Sequence, residues 1–133
     1  MAMTAALQAA ETGIDLVEID RVRRLLRENP AAWLGMSTPR ERQYWHGVAG
    51  AACVLAVKEA LLKALQGPGA DEVDWRQIEV LPGPPLQIAL SGELGLWAQQ
   101  HRPVRWVATA AASRSLAVAW VMGLPISCPD SFR

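Results

Sequence analysis

The segment from Val48 to Leu65 constrains the fold of this chain more than any other. It is rich in Ala and Leu, and its charged residues are Lys58, Glu59 and Lys63. This composition predicts a long helix that ends at Gly67-Pro68-Gly69, because glycine favours helix termination. Since the helix is apolar on most sides, other elements must cover it, and each charge on it needs a partner or a ligand.

Strands and shorter helices are predicted around this central helix from the spacing of apolar residues and from turn residues. The predicted strands are residues 14–19, 75–81, 85–90, 104–110 and 116–122, with a turn at Pro82-Gly83-Pro84 that makes 75–81 and 85–90 a hairpin. The predicted helices are residues 20–28, a segment that starts at Thr38, and residues 91–100. Thr38 is a strong helix start because Pro39 suits the first helical position and Glu41 completes a capping box.

The length of 133 residues fits one domain. Residues 1–12 are predicted to be a flexible N-terminal segment, residues 13–124 the single domain, and residues 125–133 a C-terminal tail. Six tryptophans are many for this length. They indicate either a well-filled core or apolar surface that a neighbouring subunit covers.

Charge and cysteine usage exclude several function classes. Thirteen basic and thirteen acidic residues give no net charge, so bulk electrostatics cannot hold nucleic acid or an anionic membrane. Charged residues interrupt the apolar runs, and no transmembrane helix is predicted. Cys53 and Cys128 lack metal-ligand spacing and a secretory leader before them, which favours a reduced, cytoplasmic protein.

Two carboxylates stand in apolar surroundings. Asp15 lies on the same side of its predicted strand as Val17, and Glu59 shares a helix face with Lys63. One explanation is structural: a satisfied carboxylate at a strand end and a solvated ion pair. The other is that Asp15 and Glu59 together supply oxygen ligands to Mg²⁺, which commonly binds one or two carboxylates together with water and substrate phosphates.

Several segments in order resemble the holo-[acyl-carrier-protein] synthase family of phosphopantetheinyl transferases. They are GIDLVEIDR, TPRERQY, VKEALLKAL followed by GPG, and IEVL with a glycine-proline turn, within residues 13–122. The resemblance implies an α+β fold, in which a small antiparallel sheet packs with a long central helix, and a homotrimer with active sites between subunits. It also implies transfer of the 4'-phosphopantetheine group of coenzyme A to a serine of an acyl or peptidyl carrier protein.

The same resemblance assigns the site residues. Asp15 and Glu59 match the magnesium-binding carboxylates, and Lys63 matches the lysine that meets the coenzyme A phosphates. These three residues are the predicted catalytic set. The remaining coenzyme A contacts predicted from the central motif are Lys58, Gly67 and Gly69. Apart from the resemblance, Arg114 is a further candidate because it could supply charge near the phosphates; the alternative is an ordinary arginine on a surface loop.

The predicted carrier-protein surface is the first helix. Arg21 falls where the family contacts its acidic carrier protein, and Arg24 is assigned with it, while Arg23 and Arg27 extend the basic face. A solvated helix face explains the arginines after Arg21 at least as well.

The chain also departs from the family pattern. Val54 stands where the family commonly has an arginine, and Ala111 and Ala112 stand where it typically has Ser-His. Neither His46 nor His101 is an obvious substitute, and loss of a general base typically costs about two to four powers of ten in rate.

The sequence is therefore compatible with three functions. The first is a magnesium-dependent transferase, active but slow or specialised. The second is a paralogue that binds carrier protein without transfer. The third is a cleft recruited for different chemistry on a biosynthetic intermediate, with Trp45 and Trp106 beside an apolar pocket.

Overall fold

A computed structural model describes residues 11–126 as one five-stranded antiparallel sheet with five α-helices. The sheet order is β1-β5-β4-β3-β2. In chain order the elements are β1 (Glu11–Glu18), α1 (Ile19–Glu28), α2 (Pro30–Met36), α3 (Pro39–Tyr44), α4 (Gly47–Leu65), a 3₁₀ turn (Trp75–Gln77), β2 (Ile78–Leu81), β3 (Leu86–Leu90), α5 (Gly92–His101), β4 (Val104–Ala112) and β5 (Leu116–Pro125). None of the helices in this part of the chain is long and apolar enough to cross a membrane.

Helix α4 is the centre of the core, as the sequence predicted. Its residues from Ala51 to Lys58 are all buried, and it packs on β1 and β5. The helix lies very close to β1 at Gly13, where a Cβ atom would lie 2.0 Å from the carbonyl oxygen of Ala60. Only glycine allows this contact, and it brings the next inward-facing residue of β1, Asp15, against the polar stripe of α4.

The structure corrects three local predictions. Strand β1 begins at Glu11, three residues before the predicted start of this strand at residue 14; residues 1–10 and 127–133, including Cys128, lie outside the described residues. The predicted strand 75–81 begins only at Ile78, because the Asp74 side chain accepts from the Arg76 N–H and caps a 3₁₀ turn. Helix α2 was not predicted.

The cause of the missed helix is the Asn29-Pro30 sequence. It ends α1, as expected, but it also starts α2: the Asn29 side chain accepts from the N–H of Ala32, and Pro30 occupies the first turn. Proline is well suited to this position because it has no N–H to leave unpaired. A residue pair that stops one helix therefore starts the next.

Candidate active site

Asp15 lies on the buried side of β1 and faces α4. Its Oδ1 accepts from the Lys63 ammonium, which also lies 3.3 Å from the carbonyl oxygen of Ile14. Its other oxygen, Oδ2, is buried and receives no hydrogen bond from an N–H or hydroxyl group in the described part of the chain. A buried carboxylate oxygen without a donor is costly, so Asp15 is suited to a further ligand.

Glu59 lies beside Asp15 on α4 and is partly buried. Burial, together with the hydrogen bond to Asp15 and the negative charge of Asp15, raises the pKa of Glu59 from 4.5 to about 7. Burial also acts to raise the pKa of Asp15, but hydrogen bonds from Glu59 and Lys63 outweigh it, and the net pKa is lowered. Two carboxyl groups so close together require either a shared proton or a cation.

The carboxylate pair fits a magnesium ion. Hard oxygen donors are what Mg²⁺ prefers, and the ion usually keeps several waters or substrate phosphate oxygens besides one or two carboxylates. Within residues 11–126 no cluster of three or more His, Cys, Asp or Glu side chains could hold a metal. Asp15 and Glu59 would therefore supply only part of a coordination shell, and the rest would come from water or substrate.

Cavities open on both sides of Glu59. One, of about 450 Å³, is lined by Glu59, Lys63 and the predicted glycine loop at Gly67 and Gly69. Lys63 has 59% of its side chain exposed toward solvent. An anion at the loop would therefore meet an ammonium group and the flexible backbone of the two glycines.

The second cavity, of about 480 Å³, lies toward α1. Arg21 and Arg24 line it together with Glu59. Met36 and Leu55 supply apolar walls. The structure thus brings together Asp15, Glu59 and Lys63, with the glycine loop on one side and the α1 arginines on the other.

Lys58 does not join this group, although the sequence assigned it to coenzyme A. Its side chain is fully buried, and its ammonium donates to Glu41 Oε1 at 2.8 Å, Met36 O at 2.7 Å and Trp75 O at 3.0 Å. All three donors are used, so no donor is left for a ligand. Lys58 ties the central helix to α2, α3 and the 3₁₀ turn.

Glu41, the partner of Lys58, is a residue whose role the sequence revealed only in part. It completes the predicted capping box with Thr38. In addition, its Oε2 accepts from the Val80 N–H at 2.7 Å. The capping pattern was visible locally, but the pairing with Lys58, 17 residues away, carries no sequence signal.

Trp97 is a second residue that sequence reasoning missed. A Cβ atom on Gly67 would lie 2.1 Å from the indole ring of Trp97, so the ring supports the glycine loop from behind. His101 stacks on the same ring, with centroids 4.6 Å apart. The stacking on Trp97 gives His101 a structural role.

The remaining predicted positions lie elsewhere. Arg114 is exposed at the tip of the β4–β5 hairpin and lines neither cavity beside Glu59. Ala111 and Ala112 are exposed at the end of β4. Val54 is fully buried in the core, so the arginine position of the family is a packing position in this chain. His46 is exposed at the start of α4.

Comparisons with known proteins agree with this architecture. The family model of the 4'-phosphopantetheinyl transferase superfamily matches residues 11–121. The holo-[acyl-carrier-protein] synthase of Alkaliphilus metalliredigens is 40% identical over 73 residues, which are 52% of this chain and 59% of that protein. The synthase of Geotalea daltonii is 36% identical over 92 residues, 63% of this chain and 73% of that protein. The match thus spans about three fifths of the first relative and three quarters of the second.

Solved structures share the fold. The ACPS–CoA complex of Chronobacterium ammoniagenes superposes with a TM-score of 0.76 at 23% identity, covering 89% of this chain and 98% of that one. The Helicobacter pylori holo-[acyl-carrier-protein] synthase in complex with coenzyme A has a TM-score of 0.70 at 25% identity, covering 83% and 96%. The predicted α+β fold, with its antiparallel sheet and long central helix, is confirmed. This chain belongs to the 4'-phosphopantetheinyl transferase superfamily.

Proposed function

We propose that this protein transfers the 4'-phosphopantetheine group of coenzyme A to a serine of an acyl carrier protein, with Mg²⁺ as the cofactor. The observation that carries the proposal is the meeting of Asp15, Glu59 and Lys63 beside the Gly67–Gly69 loop. Strand β1 and helix α4 supply these groups independently. Their convergence fits a site for a metal and a pyrophosphate better than it fits a simple surface ion pair.

The reaction makes clear demands on the site. The serine oxygen of the carrier protein attacks the phosphorus next to pantetheine, the phosphoanhydride bond breaks, and the adenosine 3',5'-diphosphate part leaves with the bridging oxygen. The serine proton passes to a base or to solvent. Catalysis of such a transfer is mostly alignment of the groups and neutralisation of the phosphate oxygens.

The residues of this chain suit those demands. Lys63 would bind a phosphate oxygen once an incoming anion competes with Asp15 for its ammonium. Asp15 and Glu59 would hold the magnesium ion, which when bound neutralises pyrophosphate charge. The apolar walls at Met36 and Leu55 would exclude water from the path of the pantetheine arm.

The basic face of α1 supports an acidic carrier protein as the partner. Arg21 and Arg24 are exposed and line the cavity next to Glu59. A carrier protein that docks on this face would present its serine close to the carboxylate pair. Rim charges of this kind mainly raise the association rate and depend on salt concentration.

A homotrimer is part of the same proposal, and an apolar surface on the outer face of the sheet supports it. Ile14 and Leu16 of β1 are exposed and lie opposite Trp120 and Val118 of β5, which are also exposed. Leu116 continues the patch. Paired, exposed apolar side chains on a sheet face are typical of a subunit interface. Light scattering should give the mass of a trimer, and Val118→Asp should reduce it.

Intact mass spectrometry of carrier proteins tests the transfer. Apo acyl carrier protein incubated with coenzyme A, MgCl₂ and this protein should gain the mass of one phosphopantetheine. Glu59→Gln and Lys63→Met should each abolish most of the rate, whereas the control Glu93→Gln, an exposed carboxylate on α5, should not. Unchanged masses across a broad panel of apo carrier proteins would refute the proposed activity.

A binding paralogue is the second candidate, and the Ala111-Ala112 sequence favours it. If the masses of the carrier proteins do not change, titrating labelled apo carrier protein with this protein would show whether the two bind without transfer. Saturable binding that Arg21→Glu weakens would support a carrier-binding role without transfer. If neither carrier protein nor coenzyme A binds, the remaining alternative is that the cleft has been recruited for different chemistry on a biosynthetic intermediate.

A further inference from the structure

A groove lies where strands β3 and β4 separate. The two strands pair only at Leu86 with Ala108 and at Gln87 with Val107. If the ladder continued, Ile88 would lie opposite Trp106. Instead the pairing ends there, and residues of α5 line the groove together with residues of both strands.

The groove has the size and lining of a small-molecule site. Its volume is about 620 Å³, within the range of about 300–1,000 Å³ common for such sites. Its apolar lining includes Ile88, Leu90, Leu96 and Val104. None of the residues assigned to magnesium, coenzyme A or carrier protein lines it.

Two donors that line this groove are buried and make no hydrogen bond to any of the described residues. Trp106 lines it and is only 4% exposed, and its indole N–H has no partner within residues 11–126. The Nε of Arg102, another lining residue, is also buried and makes no hydrogen bond in that range, although it forms an ion pair with the Glu11 carboxylate at 3.6 Å. Buried donors without acceptors are unfavourable. The ion pair with Glu11 is too long to be a hydrogen bond, so the Arg102 N–H still has no close acceptor, and a guanidinium N–H bonds more strongly to an anionic oxygen than to a neutral one.

We propose that this groove binds a small monocarboxylate with an apolar tail. The carboxylate accepts from the indole N–H of Trp106 and from the Arg102 guanidinium, and the tail lies along Ile88, Leu90 and Leu96. Because both nitrogens are covered, entry requires side chains at the rim to move, where Ile126 is 70% exposed. The site is independent of the proposed transferase activity.

Three probes separate charge from apolar contact: octanoate, 1-octanol and acetate, each added to the full chain below its micellar or solubility limit. The readout is the set of indole N–H signals in ¹H–¹⁵N NMR spectra, with the Trp106 signal assigned by its loss in Trp106→Phe. Octanoate should shift that signal saturably at one site per chain. 1-Octanol, which lacks the charge, and acetate, which lacks the tail, should bind at least about tenfold more weakly.

Matched variants locate the site. Arg102→Gln and Trp106→Phe should each weaken octanoate binding about tenfold or more, whereas Arg27→Gln on α1 and Trp33→Phe on α2 should not change it. Equal affinity for octanol, unchanged affinity in Arg102→Gln, or no saturation by octanoate would each overturn the proposal. If Trp106→Phe does not fold, the Arg102→Gln titration decides alone. Transferase activity enters none of these readouts, so either proposal can fail without the other.

Discussion

Replacing Lys58 by Met tests the buried ion pair beneath the active site. The ammonium of Lys58 donates three hydrogen bonds, to Glu41 Oε1, Met36 O and Trp75 O. Met keeps most of the aliphatic volume but has no donor, so the substitution isolates the loss of these bonds. The Glu41 carboxylate then stays buried without its cation, and we expect the free energy of unfolding to fall by about 3–5 kcal/mol.

A double-mutant cycle separates the pair from its surroundings. Glu41→Gln alone leaves the Lys58 ammonium buried without a counter-charge, which should also cost about 3–5 kcal/mol. The double variant removes both charges. Its cost should therefore be less than the sum of the single costs by about 1–3 kcal/mol.

Urea unfolding followed by circular dichroism measures these costs, with every variant at one protein concentration because subunit association also stabilises the fold. Arg23→Met is the control, since its ion pair with Asp20 is exposed on both sides and should contribute under about 1 kcal/mol. A loss below about 1 kcal/mol for Lys58→Met, or additive costs in the cycle, would refute a buried Lys58–Glu41 pair. If Lys58→Met instead weakens coenzyme A binding and leaves the stability unchanged, the result would support the direct contact between Lys58 and coenzyme A that the sequence predicted.

Three further predictions concern the site. The pKa of Glu59 is raised from 4.5 to about 7, so its contribution to stability is present below about pH 4.5 and is lost as the pH rises through 7. In a thermal-shift assay, the melting temperature of the metal-free protein should therefore fall between pH 5 and 8, and Mg²⁺ should raise the melting temperature more at pH 8 than at pH 6. Glu59→Gln should remove both effects. The double substitution Ala111→Ser with Ala112→His restores the Ser-His dipeptide of the family. It should increase the transfer rate in the mass assay by about 10²-fold or more, because a general base typically contributes about 10²–10⁴-fold. An unchanged rate would contradict a catalytic role for that position. Gly67→Ala would place a methyl group 2.1 Å from the Trp97 ring and should weaken coenzyme A binding in calorimetry, with Trp97→Ala in the same chain restoring part of the affinity.

Two elements could be predicted because the signal lies in their own residues: the long central helix and the helix start at Thr38. The long helix was evident because Ala, Val and Leu fill nearly every position from Val48 to Leu65, and an apolar surface of that extent must be covered. The capping box at Thr38 was evident because its residues, Thr38, Pro39 and Glu41, are adjacent in sequence and their hydrogen bonds are local.

What the sequence concealed depends on contacts between distant segments. Lys58 and Glu59 look equivalent as charges in an apolar helix, and only the fold distinguishes a structural ion pair from a ligand. The support of Gly67 by Trp97 and the separation of β3 from β4 likewise arise from packing. The resemblance assigned Asp15 and Glu59 to one metal site, and the fold places them side by side; it also assigned Lys58 to coenzyme A, whereas the fold buries Lys58 and gives its ammonium three protein acceptors.

The geometry of an α-helix explains why the two neighbouring charges differ. Consecutive residues project about 100° apart around the axis, whereas residues four apart share a face. Glu59 and Lys63 therefore both face β1 and Asp15, while Lys58 faces α3 and the strand β2 through Glu41. Lys58, through its ion pair with Glu41, fixes how α4 is rotated about its own axis against the core. This rotation makes the neighbouring Glu59 project into the active site. Loosening the Lys58–Glu41 pair should therefore displace Glu59 even though no atom of the site is changed, and Mg²⁺ affinity measured for folded Lys58→Met should fall more than for the distant control Arg27→Gln.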